Sequence, residues 1–283
     1  MTVVVPHTLR EALVCSSANP DAQIIQGGTD LMVEINFNHR KPTDVIALRR
    51  VEEIRGYSFS TDRSNVIVGS GMPYQKMEHG EIAELLPALA QAARTVGSPQ
   101  IRAAGSIGGN LGTCSPAGDA LPVLSALDAV VNLRTETSSR DVVIHDFMLG
   151  VKRNARQPGE LIISVTLPII NGWQGYSKVG VRNAMVISVA SCCLVVDRSL
   201  GSIKVALGAV GPTIIRCRET EQWLANQIDL RTISSISANL LKEFGDRIAN
   251  ESKPIDDHRS TAAYRRHAVA TLSRRLLVRA NTK

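Results

Sequence analysis

An α+β chain in two parts is what this sequence predicts, on three observations. Its 283 residues exceed the usual size of one compact domain. The first 170 or so alternate short apolar runs with stretches of helical periodicity, the mark of mixed α/β packing. Beyond residue 175, three apolar strands follow one another directly and helices come after them, which reads as a separate α+β domain.

The elements take their places in order. Residues 2–5 read as a short strand. Pro6 and Thr8 open a helix with Leu9, Ala12 and Leu13 on one face. Residues 22–25 form a buried strand broken by Gly27-Gly28, and 29–37 read as a helix that Thr29 can cap. Residues 45–48 and 66–69 are strands. Residues 82–96 carry Leu85, Leu86, Leu89, Ala92, Ala93 and Val96 at helical spacing, so one helix is expected there. A glycine-rich loop is expected over 97–118, a helix over 120–127, and strands over 129–133 and 161–167. The turn-rich PIINGWQG at 168–175 marks a boundary. Strands are expected over 175–179, 188–196 and 203–209, then helices over 218–225, 231–249 and 261–280. The first domain is thus 1–172, with subdomains of about 1–50 and 51–172, and the second is 173–283.

Composition narrows the function. The chain is 44% hydrophobic and 20% charged, ordinary for a protein with a real core. Aromatics are only 4%, too few for a stacking surface on single-stranded nucleic acid. The net charge of +6 is uneven: residues 171–283 hold 17 of the 32 Lys and Arg but 9 of the 26 Asp and Glu. Arg265, Arg266, Arg274, Arg275 and Arg279 lie beside apolar Ala268, Val269, Leu272, Leu276 and Leu277, the pattern of a helix wet on one side. Nucleic-acid binding is therefore not expected. The cysteines (Cys15, Cys114, Cys192, Cys193, Cys217) include no Cys-x-x-Cys pair. That spacing supports no cluster or zinc site and fits a cytoplasmic chain. Neither a secretion signal nor a membrane span of about 18 apolar residues is expected.

Two glycine segments carry the chemistry. Gln26-Gly27-Gly28-Thr29-Asp30 sits between a strand and a helix, where missing Cβ atoms let a ligand approach backbone amides. Asp30 would repel an anion, and so suits a hydroxyl or an amide as its partner. Gly105-Ser106-Ile107-Gly108-Gly109-Asn110-Leu111-Gly112-Thr113 has four glycines in eight residues, enough for a nest of amides. No Gly-Lys-Ser/Thr follows and no G-x-G-x-x-G occurs, which excludes a Walker loop and the dinucleotide fingerprint of doubly wound folds. No acid–base pair, nucleophile or metal-ligand set stands out, so no catalytic or metal-binding side chain is expected. Any redox chemistry would come from a cofactor.

Taken together, IIQGGTDLMVEI at 24–35 and AAGSIGGNLGTCSPAGDALPVLSALDA at 103–129 resemble the FAD-binding subunits of the xanthine dehydrogenase and carbon monoxide dehydrogenase family. GELIISVTLP at 159–168, GYSKVGVRNAMVISVAS at 175–191 and IKVALGAVGPTIIR at 203–216 extend the resemblance over nearly the whole chain. It implies a two-subdomain FAD-binding α/β unit of the PCMH type, then a small domain with a three-stranded sheet and helices. It also implies an FAD site: Ile24, Ile25, Gln26, Gly27, Gly28, Thr29 and Asp30 in the first loop; Ser106, Ile107, Gly108, Gly109 and Asn110 in the second; then Asp119, apolar Ile162 and polar Lys178. Val96 stands where some relatives carry an aromatic. The implied partners are a molybdenum-cofactor large subunit and a [2Fe-2S] small subunit, as a heterotrimer or its dimer. In that setting the chain passes electrons from the clusters to an external acceptor. A stand-alone flavin oxidoreductase acting on a small organic molecule is the alternative, and a scaffold that has lost its cofactor is a third reading.

Overall fold

The structure is a computed structural model that describes residues 2–41, 43–233 and 235–282. It divides into two compact units. The first comprises Met1–Met77, Ser98–Cys114 and Asp128–Pro168; the second comprises Glu78–Gly97, Ser115–Leu127 and Ile169–Lys283. The boundary expected near residue 172 follows the chain. Packing adds two earlier pieces, 78–97 and 115–127, to the unit that holds 169–283.

Among the described residues, the first unit holds two main sheets and a two-stranded ribbon, Met148–Gly150 with Arg153–Asn154. One main sheet is parallel, in the order Val3–Val4, Val45–Ala47, Gln23–Ile25, with Ile46 opposite both Val4 and Ile24. Helix Leu9–Ala18 covers it. Thr8 caps that helix, its hydroxyl accepting from the Glu11 amide at 3.1 Å. Ala12 and Leu13 bury the helix against Ile46, Leu48, Val51 and Ile54, as the apolar spacing predicts. The other sheet has five antiparallel strands in the order Tyr57–Phe59, Asn65–Gly69, Leu161–Pro168, Val130–Arg134, Ser139–Val143. Its period-2 pattern buries Val66, Val68, Val131, Leu133, Val165 and Leu167. Arg140 crosses from an edge strand to fork onto Glu160 at 2.6 and 2.8 Å. Burial resists the Glu160 charge, but the Arg140 fork and the Gln157 amide outweigh it and hold the carboxyl below its ordinary value.

The loop expected at 97–118 is mostly helical. Pro99–Ala104 is capped by Ser98, and Ile107–Thr113 by Ser106, whose hydroxyl accepts from the Gly109 amide at 3.1 Å. Glycines cost a helix about 1 kcal/mol each, which is why the segment reads as a loop. Ile107 and Leu111, one turn apart and both fully buried, anchor the second helix regardless. The single helix expected over 82–96 is two, Glu81–Leu85 and Pro87–Thr95. Pro87 supplies no amide and starts the second.

The second unit is a four-stranded antiparallel sheet in the order Gly172–Val179, Ala190–Asp197, Ser202–Gly208, Ile215–Arg216. The three expected strands are there, and a two-residue fourth extends the edge. Every residue of Ala190–Asp197 is buried. One face of that strand, Ala190, Cys192, Leu194 and Val196, packs with Phe244, Ile248, Leu272 and Leu276 of helices Ala238–Glu251 and Ala262–Asn281. The opposite face of the sheet meets Pro87–Thr95, at strand Gly172–Val179, and Leu121–Ala126, so closely that a Cβ on Gly208 would come within 2.9 Å of Pro122. The helix expected over 231–249 begins only at Ala238, where the Ser237 hydroxyl accepts from the Leu240 amide. Leu230 and Ile233 are core residues ahead of it, and Ser234 lies outside the described residues.

Candidate functional site

The two glycine segments meet inside the first unit. A Cβ on Gly27 would lie 1.9 Å from the Ala104 carbonyl oxygen, so only glycine fits where the segments cross. Gly28 takes φ +71°, a left-handed conformation that side chains resist. Helix Leu31–Asn36 starts two residues later than expected, and Thr29 does not cap it. Asp30 stands at the cap position without a capping bond, and its carboxylate accepts from the Thr113 hydroxyl at 2.9 Å. That bond ties the start of one segment to the end of the other.

The second segment is backed by Ser70. The Gly108 amide donates to the Ser70 carbonyl at 2.8 Å, and a Cβ there would sit 2.6 Å from the Ser70 Cβ. The Ser70 amide donates in turn to Ile163 at 2.8 Å, beside the nearly buried Ile162 and its bulge. Asn154 donates to the Gly112 carbonyl at 2.9 Å. Ser70 and Asn154 carry no sequence signal, because each earns its place only through residues far along the chain; Thr113 is the polar end of the second segment.

Several polar groups of this region lack a protein partner. Among the described residues, the amides of Gly27, Gly28 and Thr29 donate to no protein acceptor. The side-chain carbonyl oxygens of Gln26 and Asn110 are buried and accept no hydrogen bond. Gly109 is exposed, and nothing lies within 4 Å of a Cβ on Gly112. Orphaned buried groups are rare in folded proteins and call for a ligand or water. Consecutive free amides suit the oxygens of a pyrophosphate, and amide carbonyls suit the N–H and O–H groups of a nucleotide.

Asp119 and Lys178 belong to the second unit, where they form a buried ion pair at 2.6 Å, each 8% exposed. Asp119 also accepts from the Tyr176 and Ser188 hydroxyls at 2.9 and 2.7 Å. Lys178 gives its remaining protons to the Thr95 and Val186 carbonyls at 2.9 and 3.1 Å. Its three donors are therefore all engaged within the protein. Burial, and then the Asp119 charge, push the Tyr176 phenol well above its ordinary value, so it stays a neutral donor.

Among the described residues no group of three or more His, Cys, Asp or Glu could hold a metal ion. Cys114 is buried and its thiol is pushed up to about 11 by that burial. Among the described residues no helix is long and apolar enough to cross a membrane.

A parallel-sheet lobe joined to an antiparallel one, with two glycine segments crossing and their amides left free, defines a nucleotide-binding α+β protein. The family can then be named. Residues 1–170 match the FAD-binding domain in molybdopterin dehydrogenase, and residues 176–280 match the CO dehydrogenase flavoprotein C-terminal domain; the chain belongs to this family. It is similar to the glyceraldehyde dehydrogenase medium chain of Sulfolobus acidocaldarius, 27% identical over 94% of this chain and 93% of that one. It is also similar to the xanthine dehydrogenase FAD-binding subunit of Escherichia coli O157:H7, 25% identical over 95% and 92%. Identity rises to 35% with the nicotinate dehydrogenase FAD-subunit of Eubacterium barkeri, over 65% and 64%. Among solved structures, carbon monoxide dehydrogenase from Hydrogenophaga pseudoflava aligns at a TM-score of 0.88, 24% identity, covering 99% of this chain and 96% of that one. Quinoline 2-oxidoreductase from Pseudomonas putida 86 aligns at 0.90 with 20% identity, covering 100% and 97%; these two likenesses are of fold.

Proposed function

We propose that the chain is the FAD-binding electron-transfer subunit of a molybdenum-containing dehydrogenase, taking electrons from [2Fe-2S] clusters and passing them to an external acceptor. The crossing of the two glycine segments, with three consecutive amides left unpaired, carries this reading. FAD supplies the redox chemistry when bound, accepting and releasing electrons singly or in pairs. The chain's part is to bind and orient. Gly27, Gly28 and Thr29 offer amides to the pyrophosphate; Gln26 and Asn110 offer carbonyl oxygens; Ser106, Ile107 and Gly108 hold the helix start beside them, and Gly109 leaves its exposed side to the cofactor. Ile24, Ile25 and Ile162 provide apolar walls, and Asp30 fixes the crossing through Thr113. Lys178 and Asp119 act by position. With every lysine proton taken, the pair clamps the Thr95 and Val186 carbonyls in place.

The partners in this reading are a molybdenum-cofactor large subunit and a [2Fe-2S] small subunit, as a heterotrimer or its dimer in the cytoplasm. Relatives named as medium chains and FAD-subunits support that over a stand-alone oxidoreductase. The domain division 1–172 and 173–283 is kept as the unit of inheritance, since the two family matches part near it. Purification of the tagged chain from its host tests the assembly. Molybdenum and [2Fe-2S] polypeptides should co-purify at fixed ratio. A chain that purifies alone and still oxidises an organic substrate would overturn the assignment.

A further inference from the structure

The first unit also contains a cleft of about 690 Å³ around His7, Arg49, Arg50, Glu52 and Arg55. Its volume falls within the usual range of small-molecule sites. Val5 and Ala47 line it too, and both stand at the carboxyl ends of strands of the parallel sheet, Val3–Val4 and Val45–Ala47. That edge of an open parallel sheet is where ligands characteristically bind.

Three guanidinium groups face one carboxylate here. Arg55 is the one that Glu52 reaches, at 3.6 Å. The Arg49 side chain has no hydrogen bond or ion pair among the described residues. Arg50 has only the ring nitrogen of His7, at 3.4 Å. A guanidinium can only donate, so the cleft is supplied with donors and short of acceptors. The base beneath is rigid: Leu48, Val51 and Ile54 recur every third residue through two 3-10 turns, and all are buried in the core. Arg55 ties the turns together by donating to the Arg49 carbonyl at 2.7 Å. The cationic groups therefore stand on a preformed frame, and phosphate oxygens are the acceptors that match guanidinium forks best.

We propose that this cleft is a second anion site, taking a phosphate-bearing small molecule. The inference does not depend on the flavin assignment. The test is calorimetric titration of the full chain, saturated with FAD, with inorganic pyrophosphate, and in a parallel arm with adenosine monophosphate. Binding is expected in at least one arm, and which arm is tighter tells free phosphate from nucleotide. The R49Q/R50Q double variant should bind at least tenfold more weakly, while R266Q, which removes an exposed charge on the last helix, should match the wild type. The melting temperature of R49Q/R50Q without anion should be unchanged, and pyrophosphate should raise it less than in the wild type. Equal affinity in wild type and double variant would overturn the proposal. So would binding seen only without FAD and competed by FAD, which would make the cleft part of the flavin site. Loss of a partner subunit in R49Q/R50Q, with no pyrophosphate binding to the wild type, would make it a protein interface and overturn it as well.

Discussion

The crossing of the glycine segments and the cluster around Asp119 are both rich in polar groups, yet they are built on opposite principles. At the crossing, three amides and two buried carbonyl oxygens have no protein partner among the described residues. In the cluster, Asp119 accepts from Lys178, Tyr176 and Ser188, and every proton of Lys178 is used. Unsatisfied groups that persist in a fold point to a ligand; satisfied ones point to structure. The glycines of the crossing divide in the same way. Gly27 and Gly108 lack side chains because neighbouring residues fill the space, whereas a Cβ on Gly109 would meet only the Ser106 hydroxyl, at 3.4 Å, and Gly112 leaves its space open.

The sharpest way to break this contrast is to remove one partner of the satisfied cluster. Lys178→Met leaves the Asp119 carboxylate buried beside two hydroxyls, a loss of about 3–5 kcal/mol. Urea unfolding should show it, and a shift below 1 kcal/mol would mean the pair is open to water. Gly27→Ala comes next. Its methyl collides with the Ala104 carbonyl, and overpacking of this kind costs about 1–3 kcal/mol before any cofactor is considered. Apo-protein melting measures that cost, and an unshifted curve would remove the claim that the segments touch. Gly112→Ala should do the reverse. With nothing within 4 Å, the added methyl should stabilise helix Ile107–Thr113 in the apo-protein by about 0.5–1 kcal/mol.

A smaller effect is a pH dependence. Glu160 is held below its ordinary value of about 4.3 when folded. Its contribution is therefore complete above that value and shrinks as pH falls below it, through the folded value. Arg140→Gln should flatten the acid side of the stability profile, because the fork that outweighs burial is gone. Parallel profiles for variant and wild type would show that the fork contributes nothing.

Much of the crossing was legible because close backbone approach leaves a trace in residue type: Gly27, Gly28 and Gly108 can be little else. The helices flanking the second segment were not legible. Local propensity reads Gly105, Gly108, Gly109 and Gly112 as breakers, and the burial of Ile107 and Leu111 that overrides it is a tertiary fact. Pro87 was visible in the sequence, but the apolar spacing ran straight through it. Thr29 looked like a cap because its type suits one; the helix starting at Leu31 left it free. The Asp119–Lys178 pair joins residues 59 apart in sequence, which no local pattern encodes.

The central claim is that the open glycine positions face the cofactor and the filled ones hold the fold, Gly27 also offering its amide. FAD affinity of Gly109→Val, measured by fluorescence titration of the apo-protein beside its melting temperature, tests it most directly. The account predicts flavin binding weakened at least tenfold, with apo-protein melting close to wild type. Wild-type FAD affinity in a folded Gly109→Val protein would contradict it.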